Sequence, residues 1–431
     1  MSNAEERKLL AKMTELADIS RVWEMGVRDQ LFEDPVNRFA FQFMVDYWLS
    51  SQMRHAPTWV VMETEFPQLQ LNTYVEETTD WLIGRLKKRY ALNRLQDVMR
   101  RAMDKSAAED PIAALDTLWH DAYDASQINA PRYARVDITE TIEARRERYS
   151  RDVQNQALAG VPIGLDELDS HTRGILPGEL CAAAAYTKTG KSWLLAQAFV
   201  HALRTGRRPI FFTLEMGIPE MEDRIDALHS GVSYQRLSQR ELNPDEVIAL
   251  RSAQDQMAEM RGSEGWSGFI ERPQRGERTV KHMVSRARQV GANFLIVDQL
   301  SFIDAERSYS GDSALRMKHG DIIFELKDEI ARESVGKLPC LLAVQLNRQA
   351  AAGGHGGRGE LYNFANSSMV EQTVDLALGL WRNTEMRANN AMGLDIMGSR
   401  RCDTRSWTLA WHLTDRSEIR IREEYIDDGG R

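Results

Sequence analysis

The sequence predicts an α/β domain with a mostly parallel sheet and helices on both faces, preceded by an all-α N-terminal domain. From about residue 160 onward, short apolar strands alternate with helical segments, and this alternation is typical of parallel sheets covered by helices. Before that point the apolar residues recur only at helical spacing. With 431 residues the chain is also too long for one ordinary core, so two domains are expected.

The first 125 residues are interpreted as a helical interaction domain. Apolar residues follow a helical period around residues 9–23, 39–49 and 74–103, and Pro111 begins a further short helix. The third stretch carries a run of basic residues, namely Arg85, Lys87, Lys88, Arg89, Arg94, Arg100 and Arg101. Such a run is typical of a solvated helix face, and contact with DNA is the alternative.

Residues 126–160 are predicted to be a linker that contains one docking helix. Pro131 interrupts the helical pattern, and residues 138–149 are charged and helix-prone with few apolar positions. A helix with so little apolar surface is either solvated or packed on a neighbour. The remaining residues, 161–431, form the predicted α/β domain.

Composition restricts the class of protein. Hydrophobic residues make up 42% and charged residues 28%, which is typical of a soluble globular chain, and no apolar run would span a membrane. The three cysteines, Cys181, Cys340 and Cys402, show no Cys-x-x-Cys spacing, and a reducing cytoplasm is expected. No His/Cys cluster indicates zinc. A net charge of -9 argues against a general nucleic-acid coat but allows a local basic channel.

A phosphate-binding loop is predicted at residues 185–192, which read AYTKTGKS. Small apolar residues precede it as a strand, and residues 193–200 continue it as a helix. In this arrangement backbone N–H groups face the phosphates, the lysine neutralises the β/γ oxygens and the serine hydroxyl reaches Mg²⁺. We therefore expect ATP and Mg²⁺ to bind, with these nucleotide-binding residues: Thr187, Lys188, Thr189, Gly190, Lys191 and Ser192. Ala185 stands where the usual pattern begins with glycine, and the alternative is a buried strand followed by a lysine-bearing surface turn.

Three further strands end on residues suited to ATP hydrolysis. Glu215 follows a strand at 209–214, and a carboxylate there could polarise the attacking water. Asp298 ends the strand at 294–297, where an acid holds Mg²⁺ together with Ser192. Gln345 ends the strand at 341–344 and could hydrogen-bond a γ-phosphate. Each is alternatively a solvated strand end, but the four sites together indicate a nucleotide hydrolase.

At this point the chain resembles the DnaB-type replicative helicases, whose motor domain is RecA-like. The matching segments are GVPIGLDELD at 160–169, AYTKTGKS at 185–192, FTLEM at 212–216 followed by Arg224, VDQL at 297–300, QLNR at 345–348, VEQTVD at 370–375 and GSRR at 398–401. They occur in the family's order over roughly residues 160–425. The N-terminal region resembles the family only in helical texture and position.

The resemblance implies an ATP-driven DNA helicase that works as a ring, a hexamer, on single-stranded DNA, with a primase and a helicase loader as further partners. It also implies that Glu215 is the catalytic base, that Gln345 reports the γ-phosphate and that Arg401 is an arginine finger supplied to the next subunit. Two alternatives stay open: a RecA-like recombination or repair ATPase without strong unwinding, and a ring ATPase switch that binds no DNA.

Two departures from the family pattern affect the site. Ser399 stands where the family has a lysine, and Arg400 could substitute for it. Residues 365–368 lack the family's basic DNA contact, so DNA would be held by the loops around 308–311 and 348–360, with Arg348 and Arg358 as candidates. The glycine-rich second loop is alternatively a disordered surface segment. These departures would be consistent with a phage-encoded member of the DnaB-type family.

Overall fold

The computed structural model divides the chain by its contacts into two units, Met1–Glu147 and Arg148–Arg431. It describes residues 2–72, 74–107, 118, 121, 138–139, 141–154, 159–264, 267–307, 309–310, 314–332, 336–346 and 368–425. The predicted linker of residues 126–160 lies partly outside this set, so its boundaries stay predictions. Within the described residues, no helix is long and apolar enough to cross a membrane.

The N-terminal unit is helical around one apolar core, as the sequence predicts. Its main helices are α1 (Ser2–Lys12), α2 (Leu16–Glu24), α3 (Pro35–Ser50), α4 (Trp59–Glu65) and α5 (Thr79–Ala107). Helix α3 begins where the Asp34 carboxylate accepts hydrogen bonds from the backbone N–H groups of Val36 and Asn37, at 2.8 and 3.2 Å. The short helix predicted from Pro111 lies outside the described residues.

Two basic residues of α5, Lys87 and Arg89, make contacts that stabilise the N-terminal unit. Arg89 forms an ion pair with Glu6, which is fully buried, and Lys87 donates to the Met25 carbonyl at 2.6 Å. Burial lowers the pKa of Lys87. The interpretation of this run as a solvated face is therefore wrong for Lys87 and Arg89, whereas Arg100 is 74% exposed.

The described part of the second unit contains one sheet, with strands β1 (Leu180–Ala185), β2 (Pro209–Thr213), β3 (Phe269–Glu271), β4 (Phe294–Asp298), β5 (Cys340–Gln345), β6 (Leu376–Trp381), β7 (Ala391–Ser399), β8 (Ser406–His412) and β9 (Glu418–Glu424). Their order in the sheet is β3-β2-β4-β5-β1-β6-β7-β8-β9. Strands β1 to β6 are parallel neighbours, and β7 to β9 extend the sheet in antiparallel pairs.

Helices cover both faces of this sheet, which confirms the predicted fold class. The helices from the linker onward are α6 (Ile142–Gln154), α7 (Asp166–Thr172), α8 (Lys191–Arg204), α9 (Ile218–Ser230), α10 (Tyr234–Gln239), α11 (Pro244–Glu264), α12 (Val280–Gln289), α13 (Ala314–Ala331), α14 (Ser368–Thr373) and α15 (Thr384–Ala388). Alternate residues of β1 contribute to two separate cores, one shared with α8 and α9 and the other with α12 and α13.

The parallel strands bring distant residues to a common edge. Strands β1, β2, β4 and β5 all end at the same side of the sheet, and their carboxyl ends are Ala185, Thr213, Asp298 and Gln345. In open parallel sheets this edge is where ligands bind. Cys181 and Cys340 lie buried in β1 and β5, where burial raises the pKa of both thiols.

Candidate nucleotide-binding site

The predicted phosphate-binding loop connects β1 to α8. Strand β1 ends at Ala185 and α8 begins at Lys191, with Gly190 at a φ of 119° between them. A Cβ at Gly190 would lie 2.7 Å from Cζ2 of Trp411, which is buried in β8. Glycine is required here both by the backbone conformation and by the indole ring beneath the loop. Lys188, at a φ of 63°, is a second left-handed residue in the turn.

Lys191 is held inside this loop. The residue is 8% exposed, and Nζ donates to the carbonyl oxygens of Ala185 and Tyr186 at 3.3 and 3.5 Å. Burial lowers the pKa of Lys191, while the nearby carboxylates of Asp298 and Glu215 act in the opposite direction. Because these hydrogen bonds are long, the ammonium group can turn toward an anion at the loop without losing strong contacts.

Asp298 ends β4 and is 1% exposed. Burial raises its pKa, whereas the Ser192 hydroxyl and the Lys191 ammonium oppose that rise. Neither carboxylate oxygen accepts a hydrogen bond of normal geometry from a described residue, despite the closeness of Ser192. Two buried acceptor oxygens without donors, next to a serine hydroxyl, fit a hard cation.

The described residues contain no group of three or more His, Cys, Asp or Glu side chains that could hold a metal ion by themselves. Mg²⁺ that arrives with a nucleotide needs fewer protein ligands, since the phosphates and waters supply the rest. Ser192 and Asp298 therefore fit such an ion.

Glu215 and Gln345 complete this edge of the sheet. Strand β2 ends at Thr213, two residues before Glu215, so the exposed side chain of Glu215 stands on the loop that follows. Gln345 is the last residue of β5, and its Nε2 donates to Oγ1 of Thr187 in the phosphate-binding loop at 2.9 Å. The amide of Gln345 thus already contacts the loop that would surround a γ-phosphate.

These residues surround one cleft of about 330 Å³. Its lining includes Thr187, Lys188, Gly190, Lys191, Ser192, Glu215 and Gln345. Thr189 belongs to the same turn without lining the cleft, and Asp298 lies behind Ser192 and Lys191. The volume is at the lower end of the range typical of small-molecule sites.

Arg224, which follows the FTLEM segment, also lines the cleft. Its role there is not predicted from the sequence. Arg224 lies on α9, its side chain is 14% exposed, and it pairs with Glu220 at 2.9 Å. The guanidinium carbon also lies 5.2 Å from the ring centre of Trp193 and 5.9 Å from that of Tyr234, a cation–π arrangement. The cleft therefore has a cation on its wall in addition to Lys191.

Arg401 lies near the amino ends of the parallel strands, whereas the cleft lies at their carboxyl ends. It follows the end of β7, where Ser399 pairs with the first residue of β6. Its guanidinium binds Glu179, the residue before β1, through two hydrogen bonds of 2.7 and 2.8 Å. Arg400 beside it is 57% exposed and donates to the Gln372 carbonyl at 2.8 Å. Both cations are therefore remote from the phosphate-binding loop of their own chain.

The predicted DNA contacts are only partly described. Arg348 and Arg358 lie outside the described residues, as does most of the second candidate loop. In the first loop Tyr309 lines a cleft of about 570 Å³ together with Arg275, Arg307 and Lys318. None of these three cations forms an ion pair with a described residue, although the carboxylate of Asp304 lines the same cleft and Arg307 also borders a neighbouring cleft lined by several acidic residues.

The fold and the cleft together define a P-loop nucleotide-binding protein with a mostly parallel sheet. Residues 160–416 match the family of the DnaB-like helicase C terminal domain. Because this match spans more than half of the 431 residues, the chain belongs to that family.

Two relatives agree with this assignment. The replicative DNA helicase DnaB of Helicobacter pylori is 25% identical over 328 residues, which are 74% of this chain and 63% of the relative. The DnaB of Treponema pallidum is 25% identical over 333 residues, 72% of this chain and 71% of the relative. The chain thus spans less than two thirds of the length of the H. pylori protein.

Two solved structures share the fold. A DnaB-like replicative helicase, described with its interactions with primase, superimposes with a TM-score of 0.68 at 18% identity, covering 95% of this chain and 98% of that one. A second solved structure, described as an ATPase domain, superimposes with a TM-score of 0.56 at 20% identity, covering 67% of this chain and 100% of that one.

Proposed function

We propose that this protein is an ATP-dependent replicative DNA helicase that moves along single-stranded DNA as a hexameric ring and displaces the complementary strand. Family membership supports the proposal. The observation that carries it is that the phosphate-binding cleft and the candidate finger lie at opposite ends of the parallel strands. The phosphate-binding cleft lies at the carboxyl edge of the sheet, and the candidate finger Arg401 lies at the amino edge. A second copy would therefore supply Arg401 to the cleft.

Binding of ATP would begin at the loop around Gly190. Backbone N–H groups of the turn and of the first turn of α8 would face the phosphates, as at other helix N-termini. Lys191 Nζ would exchange its long contacts with the loop carbonyls for phosphate oxygens. Ser192 and Asp298 would hold Mg²⁺, which neutralises charge that develops on the phosphates during the reaction.

Hydrolysis would then use residues at two strand ends and one residue of helix α9. The exposed carboxylate of Glu215, which lines the cleft, would accept a proton from the attacking water. Gln345 bonds to Thr187, so a γ-phosphate in the loop would compete for its amide. Because β5 leads directly to residues 347–367, a shift of Gln345 would be transmitted to the candidate DNA loop. Arg224 would add a fixed cation at the wall of the same cleft.

Single-stranded DNA would bind through its phosphates. Arg275, Arg307 and Lys318 present positive charge in one cleft, and Arg348 and Arg358 would extend this surface. Phosphate contacts carry no sequence information, which is what a processive motor requires. We further propose a primase and a helicase loader as partners, working in the cytoplasm.

Strand separation on a forked duplex tests the proposal. We expect ATPase activity that single-stranded DNA stimulates, together with unwinding that requires ATP, and we expect a Lys191→Ala control to lose both. DNA-stimulated hydrolysis without unwinding would instead identify a recombination or repair ATPase. Hydrolysis that DNA leaves unchanged would identify a ring ATPase switch that acts on proteins.

A further inference from the structure

The bond between Arg401 and Glu179 joins two segments that are 222 residues apart in the chain. Nε of Arg401 donates to one oxygen of Glu179 at 2.7 Å, and Nη2 donates to the other at 2.8 Å. Nη2 also donates to the Gly174 carbonyl. This bidentate geometry fixes the plane of the guanidinium more strictly than a single contact would.

Glu179 is itself held on both sides. Its Oε2 accepts the backbone N–H of Leu176 at 2.9 Å, and its backbone carbonyl accepts from Cys340 N at 3.0 Å on the neighbouring strand β5. The side chains of Arg401 and Glu179 are 21% and 15% exposed. The carboxylate is thus a rigid acceptor attached to the sheet, with little solvent to compete for the guanidinium.

One nitrogen of the guanidinium is not used in this arrangement. Nε and Nη2 make all the hydrogen bonds that Arg401 forms through its side chain with described residues, so both N–H groups of Nη1 remain available. A guanidinium has five N–H donors in a fixed plane, and orienting two of its nitrogens therefore determines where the third points.

We propose that Glu179 is a positioning residue for Arg401: it holds the guanidinium at the amino edge of the sheet with Nη1 presented to the nucleotide of the next subunit. This inference rests on the proposed trans role of Arg401. Glu179 touches neither the nucleotide nor the water. Its contribution is to remove the rotamer freedom that a long arginine side chain would otherwise have to lose at each turnover.

Substitution of Glu179 tests this assignment. Glu179→Gln keeps an oxygen for Leu176 N but loses the charged, bidentate partner of Arg401. We expect DNA-stimulated turnover to fall about tenfold, with the KM for ATP within about twofold of wild type, because Glu179 lies away from the cleft of its own chain. Glu179→Asp, which keeps the charge at a shorter reach, should recover part of the turnover. Glu424→Gln, which alters an exposed ion pair with Arg405, is the matched control.

The double variant Glu179→Gln/Arg401→Ala separates positioning from a general structural role. If Glu179 acts through Arg401, the double variant should be no slower than Arg401→Ala alone, whereas independent effects would multiply. Should Glu179→Gln fold poorly, Glu179→Asp in the same cycle gives the same comparison. Multiplying effects, or wild-type turnover of Glu179→Gln beside an impaired Arg401→Ala, would overturn the assignment. Wild-type turnover of Arg401→Ala would instead refute the finger itself.

Discussion

Replacement of Gly190 by alanine is a sharp test of the phosphate-binding loop. Two costs combine at this position. An alanine at a φ of 119° is strained by about 1–3 kcal/mol. Its Cβ would also lie 2.7 Å from Cζ2 of Trp411, well inside an ordinary carbon contact, and relief of such overpacking costs about 1–3 kcal/mol. Together we expect the free energy of unfolding of the second unit to fall by about 2–6 kcal/mol.

Gly231 provides the matched control. It also has a positive φ, 77°, at the end of α9, but a Cβ there would meet no atom within 4 Å. Gly231→Ala should therefore cost only the backbone strain, about 1–2 kcal/mol. The difference between the two variants therefore reports the contact with Trp411 together with any extra backbone strain at the larger φ of Gly190.

Urea unfolding followed by circular dichroism measures the stability change, and calorimetric titration measures nucleotide affinity. If the loop shifts to accommodate the methyl group in Gly190→Ala, affinity for a non-hydrolysable ATP analogue should fall at least tenfold, about 1.4 kcal/mol. Gly231→Ala should bind the analogue like wild type. Equal destabilisation by the two substitutions, together with unchanged affinity in Gly190→Ala, would refute the assignment of this turn as a packed phosphate-binding loop.

Further predictions concern the chemistry and the DNA contacts. Lys191→Ala should fold normally and lose ATPase activity by orders of magnitude; wild-type turnover would exclude Lys191 from the site. Glu215→Gln should still bind ATP but hydrolyse it about 10²–10⁴-fold more slowly, and equal loss of binding would point to a structural role instead. Arg307→Ala, Arg348→Ala and Arg358→Ala should each reduce the slope of log affinity for single-stranded DNA against log salt by roughly one unit, and unchanged slopes would move the DNA site elsewhere.

The sequence identifies β1, β2, β4 and β5 because each is a continuous apolar run between turns. It does not predict β3 or β6 to β9; in β9, for example, apolar residues alternate with charged ones. The ends of β4 and β5, at Asp298 and Gln345, agree with the sequence prediction. The sequence extends β2 to Leu214, one residue beyond its end at Thr213, and Leu214 N still donates to the Asp298 carbonyl at 2.8 Å. Glu215 lies in the loop after the strand, two residues beyond its end.

Contacts between segments that are far apart in the chain could not be predicted from the sequence. Trp411 lies under Gly190 only because β8 and the phosphate-binding loop meet in the folded unit. Arg224 reaches the cleft because α9 turns one face to it, and periodicity indicates which residues face a core but not which helix borders a site. The pairing of Arg401 with Glu179 likewise depends on the order of strands in the sheet.

Mixed rings of two inactive variants test most directly the claim that active sites form between copies of this chain. An Arg401→Ala subunit retains a complete phosphate-binding loop, and a Lys191→Ala subunit retains a complete finger. Arg401→Ala alone should bind ATP and lose about 10³–10⁵-fold in turnover, the range known for arginine fingers. On mixing with subunit exchange, some interfaces regain both parts, so we expect DNA-stimulated ATPase activity to return in proportion to those interfaces. Mixed rings that form, as native mass measurement would show, yet regain no activity would contradict the account.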